Sequence, residues 1–327
     1  MTADARLVAE VSSNHGTDLE RALAFVDAAA DLGFDAVKFQ QFKIAELFAP
    51  EALRAHANLR ARERWELPEE FNAPLSQRAH ERGLAYTSTP FYLGAVAVLE
   101  PHVDAFKIAS YQLLWHDLIR EVAATGKPIV LATGLATLAE VRDAVEALER
   151  AGARDVTLLH CVSAYPTPPE DANLRAIETL REAFHLPCGW SDHTVRPEVA
   201  ARAVRRFGAT MIELHLDLDG LGDEFAGGHC WLPADVARLR TRLASGTPEP
   251  EELPCDGDGE KTPRPLEADE VAWRSDPSDG LRPLMWKRPQ LAELAALADR
   301  TGPDAGDDCS ECSECAECSG QNEDASR

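Results

Sequence analysis

The chain has 327 residues and a formal charge of -23 at pH 7. An acidic excess of this size repels phosphate backbones and anionic lipids at long range, so we exclude nucleic acids and membranes as partners. No apolar run approaches the roughly 20 residues that span a bilayer, and the opening MTADARLVAEV lacks the charged and apolar regions of a signal peptide. We therefore expect a cytoplasmic protein.

Eight short apolar runs alternate along the chain with segments of helical period. The runs are continuously apolar, which is typical of parallel strands that are covered on both faces. In the segments 18–32, 138–152 and 197–208, Ala, Leu and Val recur every three or four residues, which predicts helices. This alternation predicts a (β/α)8 TIM barrel, an α/β fold of roughly 250 residues that would end near Ser245. The predicted strands are 7–11, 36–39, 85–88, 105–108, 128–132, 156–161, 187–190 and 211–216.

The sequence divides into three predicted regions. Residues 1–245 form the barrel, 246–296 form a linker and C-terminal arm, and 297–327 form an acidic, cysteine-rich tail. Few apolar residues flank the tail cysteines, and the abundant Asp, Glu and Ser predict disorder. We interpret the tail as unstructured and redox-sensitive, with a zinc or iron–sulfur site as the alternative. Its cysteines recur at three-residue steps: Cys309, Cys312, Cys315 and Cys318.

Chemically useful side chains stand at or just beyond the end of every predicted strand. In a (β/α)8 barrel the βα loops converge at the carboxyl ends of the strands, and active sites are built there. The sequence therefore predicts an enzyme whose site lies at this rim. The residues are Glu10, Lys38, Thr89, Lys107, Thr133, Ser163, His193 and His215.

Lysine is rare in this chain, yet Lys38 and Lys107 both stand at strand ends. An ammonium group in a buried barrel wall needs an anionic partner to offset its desolvation. A phosphate or carboxylate ligand would supply that partner. The alternative is an internal salt bridge to Glu10 or another acid.

His193 in SDHT and His215 in IELHL end adjacent predicted strands. Two neighbouring imidazoles with open positions beside them suit a catalytic Mn, Fe, Co or Zn ion, whereas Mg prefers oxygen ligands. The alternative for each histidine is an ordinary hydrogen-bonded structural role. The pair nevertheless makes a metal site a serious hypothesis.

These residues and their surrounding strings resemble the sialic acid synthase family. The matching strings are AEVSSNHG, AVKFQQF, TSTPF, FKIAS, KPIVLATG, LLHCVSAYPTPPEDANL, GWSDHT and IELHL, in the family's order and spacing across roughly residues 6–220. The resemblance implies condensation of phosphoenolpyruvate with an N-acylated hexosamine such as N-acetylmannosamine. The products would be a 3-deoxy-2-keto sugar acid and phosphate.

The resemblance also implies a role for each matching residue. Lys38 and Lys107 would bind phosphoenolpyruvate, and Glu10 would be the acid–base group. His193 and His215 would hold a divalent ion. The resemblance implies Mn²⁺, the ion usual in the family, with Mg²⁺ or Co²⁺ as alternatives. Hydroxyl donors to phosphoenolpyruvate would be Thr89, Ser110 and Ser191, and the sugar would contact Gln40 and Tyr165.

Departures from the family pattern fall on the sugar side of the expected site. Gln112 replaces an acidic residue, Ala132 replaces a serine, and Ser163 replaces an asparagine; Gln112 and Ser163 remain candidate substrate contacts. After the eighth strand stands LDGLGDEFAGGHCWLP, in which the sugar-binding acid would be Asp223 or Glu224. His229 in the same segment would add a ligand or cap the loop, and we favour the loop-capping interpretation.

The region beyond the barrel departs further from the family. Bacterial members usually carry an antifreeze-like domain that lends an arginine to the partner subunit's sugar site, and we find no match to it here. Arg274, Arg282 or Arg288 on the predicted arm would be the candidate replacements. The family's dimers make a homodimer the expected assembly.

Two alternatives remain at this point. One is a different phosphoenolpyruvate-dependent synthase, making a legionaminate-like, pseudaminate-like or phosphorylated sugar acid on the same barrel. The other is a non-catalytic relative that uses the cysteine tail for metal sensing or partner contact. Intact charged and imidazole groups at the strand ends favour an enzyme, because drift would be expected to erode buried charges first.

Overall fold

Eight parallel strands close into a barrel in chain order, in a computed structural model that describes residues 5–48, 53, 57–245 and 252–261. This confirms the (β/α)8 prediction. Each predicted strand is present, with ends that differ by at most two residues. The strands are β1 Arg6–Glu10, β2 Ala36–Gln41, β3 Ala85–Pro90, β4 Ala105–Ile108, β5 Ile129–Ala132, β6 Val156–Cys161, β7 Cys188–Asp192 and β8 Met211–His215.

Helices cover the outside of the barrel, and two of them begin at a side-chain cap. Asp18 accepts hydrogen bonds from the first turn of one helix, and Thr137 and Glu140 form a capping box at another. Across the described ranges no helix is both long and apolar enough to cross a bilayer. The α-helices are Leu19–Asp31, Ile44–Leu47, Ala57–Arg60, Asn72–Glu81, Leu93–Leu99, His116–Ala124, Leu138–Arg150, Ala176–Phe184, Pro197–Arg205 and Pro233–Ala244. Short 3-10 helices span Ala61–Trp65, Glu69–Phe71, Ser110–Gln112, Pro169–Asp171, Phe225–Gly227 and Pro254–Asp256.

The barrel interior changes from apolar to polar along the strands. Val8, Ala36, Leu159 and Met211 form an apolar plug towards the amino ends of the strands. Side chains two residues further along a strand point into the same interior. The polar residues at the strand ends therefore stand directly above this plug.

The described residues between β2 and the helix Asn72–Glu81, which are 42–48, 53 and 57–71, form an excursion that reaches one side of the barrel mouth. Phe42, Ile44, Phe48 and Leu59 pack together as a small apolar cluster of their own. This cluster packs the described residues 42–48 of the excursion against Leu59. Side chains from it can therefore take defined positions above the strand ends.

Residues 252–261, which the sequence analysis assigned largely to a linker, pack onto the barrel as a docked segment. The Leu174 and Arg175 amides donate to the Cys255 and Asp256 carbonyl oxygens at 2.9 and 2.8 Å. The Arg202 guanidinium contacts the Asp256 carboxylate through two hydrogen bonds of 2.5 and 2.6 Å, and both residues are buried. The remainder of the predicted arm and the tail cysteines lie outside the described residues.

We predict that Asp256→Asn destabilises the barrel. The substitution removes the negative charge from the buried ion pair between Arg202 and Asp256, which costs about 3 kcal/mol of unfolding free energy. Urea unfolding followed by circular dichroism measures the change. Glu252→Gln, at an exposed position on the same segment, is the control and should shift stability by less than about 0.5 kcal/mol. Equal stability of the two variants would contradict the prediction.

Candidate active site

A cavity of about 710 Å³ opens at the carboxyl ends of the strands. Its position agrees with the expected location of a (β/α)8 active site. Most of the predicted site residues line it: Glu10, Lys38, Gln40, Thr89, Lys107, Ser110, Tyr165, Ser191, His193, His215 and Glu224.

The floor of the cavity is a cluster of buried, oppositely charged groups. The Lys107 ammonium lies 2.6 and 2.8 Å from the two Glu213 carboxylate oxygens. Lys38 contacts the Glu10 carboxylate and lies 3.7 Å from Glu213. Their side chains are at most 5% exposed. The internal ion pairs that the sequence left as one alternative are therefore present, and a bound anion would have to compete with carboxylates for the lysines.

The charge balance of this floor is sensitive to its surroundings. Burial, opposed by Glu213 and assisted by the neighbouring Lys107, lowers the pKa of Lys38 to about 7. Burial alone would raise the pKa of Glu213, but the two lysines outweigh it and the pKa falls. Lys38 can therefore gain or lose its proton near neutral pH, while Glu213 stays ionised.

Glu213 is the main residue of the floor that the sequence analysis did not identify. It stands two positions before His215 on β8, so both side chains point into the barrel. The Ser191 hydroxyl donates to it at 3.2 Å. The signal was available in IELHL, because a charged residue within an otherwise apolar strand needs buried partners.

His193 and His215 form one wall, with ring centroids 5.3 Å apart. The His193 Nδ1 atom lies 2.7 Å from the Val162 carbonyl oxygen. Because that oxygen only accepts, Nδ1 carries the proton and Nε2 of the neutral ring keeps its lone pair. Burial lowers the pKa of both imidazoles. Both rings are thus neutral at pH 7 and suited to metal ligation.

The loop after β8 brings Glu224 and His229 to the same wall. Glu224 Oε2 lies 3.1 Å from His215 Nδ1 and 3.6 Å from His229 Nε2. Burial would raise the pKa of Glu224, but its contacts with the His215 and His229 imidazoles outweigh the effect of burial and lower the pKa. His229 lines the cavity, so the structure does not support the favoured interpretation of this residue as a loop cap alone.

Three predicted substrate contacts do not line this cavity. Gln112 is fully buried and bonds the Ala109 amide and the Pro90 carbonyl oxygen. Ser163 lines a separate, smaller cavity beside β6. Asp223 points outward and lies 3.5 Å from Arg64. Of the two acids proposed from the sequence, Glu224 is therefore the one that reaches the site.

The mouth of the cavity carries a residue that the sequence analysis missed. Arg62, on the excursion after β2, lines the cavity together with Phe48 and Phe91. Its string ARERW has no periodicity or motif that distinguishes it from a surface helix. The proposed replacements Arg274, Arg282 and Arg288 lie outside the described residues, so Arg62 is the arginine that the structure brings to this cavity within those residues.

Comparison with known protein families decides the relationship. The model of the NeuB family matches residues 25–242, which is more than half of the chain. The chain belongs to the NeuB family. The motif strings that suggested sialic acid synthases therefore reflect membership of this family.

Individual relatives of this NeuB-family chain are similar to it in sequence and in structure. It is 37% identical over 268 residues to the uncharacterized protein MJ1065 of Methanocaldococcus jannaschii, covering 81% of this chain and 76% of the other. It is 37% identical over 226 residues to N,N'-diacetyllegionaminic acid synthase of Campylobacter jejuni, covering 65% and 67%. The N-acetylneuraminic acid synthetase structure from Leptospira borgpetersenii superposes with a TM-score of 0.67 at 31% identity, covering 76% and 87%.

We predict that Glu213→Gln lowers the stability of this NeuB-family protein and makes its melting temperature depend on small anions. Without the carboxylate, two buried ammonium groups lose a charge partner, which costs about 3 kcal/mol of stability. Inorganic phosphate would replace the missing charge and should raise the melting temperature of the variant more than that of the unmodified protein. Differential scanning fluorimetry measures both effects. Glu81→Gln, at an exposed helix position, is the control, and an identical phosphate response in all three proteins would contradict the prediction.

Proposed function

We propose that the protein condenses phosphoenolpyruvate with an N-acylated hexosamine, forming a nonulosonic-type 3-deoxy-2-keto sugar acid and phosphate. The observation that carries the proposal is the pairing, in one cavity, of a buried two-lysine floor with a wall of neutral imidazoles. The floor suits an anionic substrate, and the wall suits activation of a carbonyl group. Membership of the NeuB family supports the same reaction class.

The floor would bind phosphoenolpyruvate. Lys38 and Lys107 supply the positive charge, and displacement of their carboxylate partners would release Glu10 and Glu213 towards the substrate. The hydroxyl groups of Thr89, Ser110 and Ser191 line the same region of the cavity. Charge-assisted hydrogen bonds of this kind are roughly twice as strong as neutral ones, so they can hold a phosphate against water.

His193 and His215 would hold a divalent ion, with Mn²⁺ our first choice and Mg²⁺ or Co²⁺ as alternatives. Their donor set fits, because both imidazoles are buried, neutral and 5.3 Å apart between ring centroids. A bound ion in this position supplies Lewis-acid polarisation of the acceptor carbonyl.

The chemistry follows from holding both substrates in one cavity. Carbon 3 of phosphoenolpyruvate attacks the aldehyde carbon of the open-chain sugar, and water adds to carbon 2. The resulting hemiketal phosphate breaks its C–O bond and releases inorganic phosphate. Glu10, freed from Lys38, would accept a proton from the attacking water and pass it to the former aldehyde oxygen, which becomes a hydroxyl group; the hemiketal hydroxyl proton leaves with phosphate as the ketone forms. Proximity of the two substrates contributes about 7 to 11 kcal/mol in favourable cases.

The mouth of the cavity would select the acceptor. Gln40 and Tyr165 offer an amide and an aromatic face, and Arg62 adds a cation near the apolar side chains of Phe48 and Phe91. Relatives of similar identity are named as legionaminic acid and pseudaminic acid synthases. An acceptor of either type is therefore the second candidate, on the same catalytic floor.

The decisive experiment is phosphate release from phosphoenolpyruvate in the presence of Mn²⁺. We expect release that depends on one member of a panel of N-acylated mannosamines and related hexosamines. His193→Ala should reduce the rate by at least about 100-fold, because it removes a carbonyl-activating group. Glu81→Gln serves as the matched surface control. Absence of release with every sugar, from folded protein with bound metal, would refute the proposal.

We also predict that phosphoenolpyruvate binding weakens as the pH rises above about 7. The pKa of Lys38 is about 7, and the anion binds the protonated lysine, so affinity falls by up to about tenfold per pH unit beyond the pKa. Isothermal titration calorimetry between about pH 6.5 and 8.5 measures the slope. In Lys38→Arg the cation persists and the slope should vanish. Constant affinity in the unmodified protein would count against this assignment.

A further inference from the structure

We infer that the metal site has more protein ligands than His193 and His215. Glu224 and His229, from the loop after β8, bind the same divalent ion as His215. One ligand atom from each of these three residues lies within 4.8 Å of the other two. The inference deepens the proposed function, because the ion would be the one that polarises the acceptor. Its test, however, is metal binding and does not require turnover.

The distances between the donor atoms fit a common ion. With ligand bonds of about 2.1 Å, two donors at right angles stand about 3 Å apart and two tetrahedral donors slightly further. The observed separations from Glu224 Oε2 are 3.1 Å to His215 Nδ1 and 3.6 Å to His229 Nε2. These two separations match two edges of a coordination polyhedron, and the ligand atoms of His215 and His229 lie within 4.8 Å of each other.

The loop that carries the two additional donors is fixed at its base. Leu216 and Trp231 form a β-bridge, and the Trp231 amide donates to the His215 carbonyl oxygen at 2.6 Å. The Trp231 side chain is completely buried and its indole nitrogen donates to Asp192 at 3.0 Å. His229 stands two residues before this anchor. Its position is therefore set by the barrel itself.

The loop is also tied to the chain after β1. Asn14 accepts a hydrogen bond from the Glu224 amide at 2.9 Å and donates to the Leu216 carbonyl oxygen at 3.0 Å. At Gly222 a Cβ atom would stand 2.4 Å from the Asn14 side-chain oxygen, so only glycine allows this close approach. Asn14 and Gly222 together hold Glu224 over the cavity.

The Glu224 carboxylate has the outer-shell support that ligating carboxylates usually have. The Ser12 hydroxyl donates to its Oε1 at 2.6 Å, and Gln40 donates to the Ser12 oxygen at 3.0 Å. Oε2 is the oxygen that faces the two imidazoles. The carboxylate is thus oriented before any ion binds.

The burial of His229 is an independent indication that this side chain binds a metal ion. Its side chain is only 9% exposed, and its Nδ1 atom is buried without a hydrogen-bond partner. A histidine that served only to cap the loop would use its ring nitrogens for hydrogen bonds. The contacts of His229 are instead with Glu224 and with the rings of His215 and Tyr165, at 4.9 and 5.0 Å between centroids.

The donor set also limits the kind of ion. The imidazoles of His215 and His229 and the Glu224 carboxylate, together with the His193 imidazole, form a donor set that suits Mn²⁺, Fe²⁺, Co²⁺ or Zn²⁺. Mg²⁺, which prefers oxygen ligands, would bind more weakly. We therefore expect the protein to retain a transition-metal ion without substrate.

The experiment is Mn²⁺ titration of the full chain, with free ion measured by electron paramagnetic resonance. We expect His229→Ala and Glu224→Gln each to weaken binding by about 100-fold or more, because each removes a ligand. Ser12→Ala should weaken it by about tenfold, as loss of outer-shell support does. Leu221→Ala, at an 81% exposed position on the same loop, should bind as the unmodified protein does.

Replacing Mn²⁺ by Co²⁺ gives a second readout. The visible absorption of bound Co²⁺ should change in His229→Ala and Glu224→Gln but not in Leu221→Ala, since only the first two alter the coordination sphere. Unchanged affinity and an unchanged Co²⁺ spectrum in both ligand variants would overturn the inference, as would failure of the unmodified protein to bind either ion. Intact, variant-sensitive metal binding without phosphate release would refute the proposed function and leave this site standing.

Discussion

The two lysine ammonium groups inside the barrel impose the constraint on which the rest of the site depends. Lys38 and Lys107 lie above an apolar plug, where an unpaired charge would cost several kcal/mol. Glu10 and Glu213 form ion pairs with them, so side chains of the barrel itself balance the two buried charges. Under the proposed function the same arrangement binds an anion, because a ligand that carries more charge would displace a carboxylate from its lysine.

The parts of the molecule that follow from repeated local rules could be predicted from the sequence. Continuous apolar runs located all the strands, and the alternation of side chains placed Lys38, Lys107 and His215 at the rim. Glu213 was missed because its strand reads as apolar around it, although its spacing from His215 places both on one face. The recurrence of apolar residues predicted three helices to within three residues at each end, and Asp18 and Thr137 cap two of them.

Loop residues obeyed no such rule. The sequence offered Asp223 and Glu224 equally, and only the hydrogen bonds of Asn14 to the loop decide which one turns inward. Arg62 reaches the cavity because a separate apolar cluster shapes the excursion after β2. These contacts join residues far apart in the chain, so local pattern carries no information about them. The rigid strands thus provide the floor of the site, while the loops determine its upper wall and mouth.

The docked segment 252–261 bears on where an independently folding unit can end. Counting β/α units places the end of the barrel near Ser245, yet Asp256 neutralises a guanidinium that is buried beneath the helix Pro197–Arg205. The segment also covers the start of the helix Ala176–Phe184, through backbone hydrogen bonds to Leu174 and Arg175. A fragment that stopped at Ser245 would expose this surface and remove the Asp256 carboxylate from Arg202. The smallest stable unit therefore extends past the helix Pro233–Ala244 to the end of the docked segment.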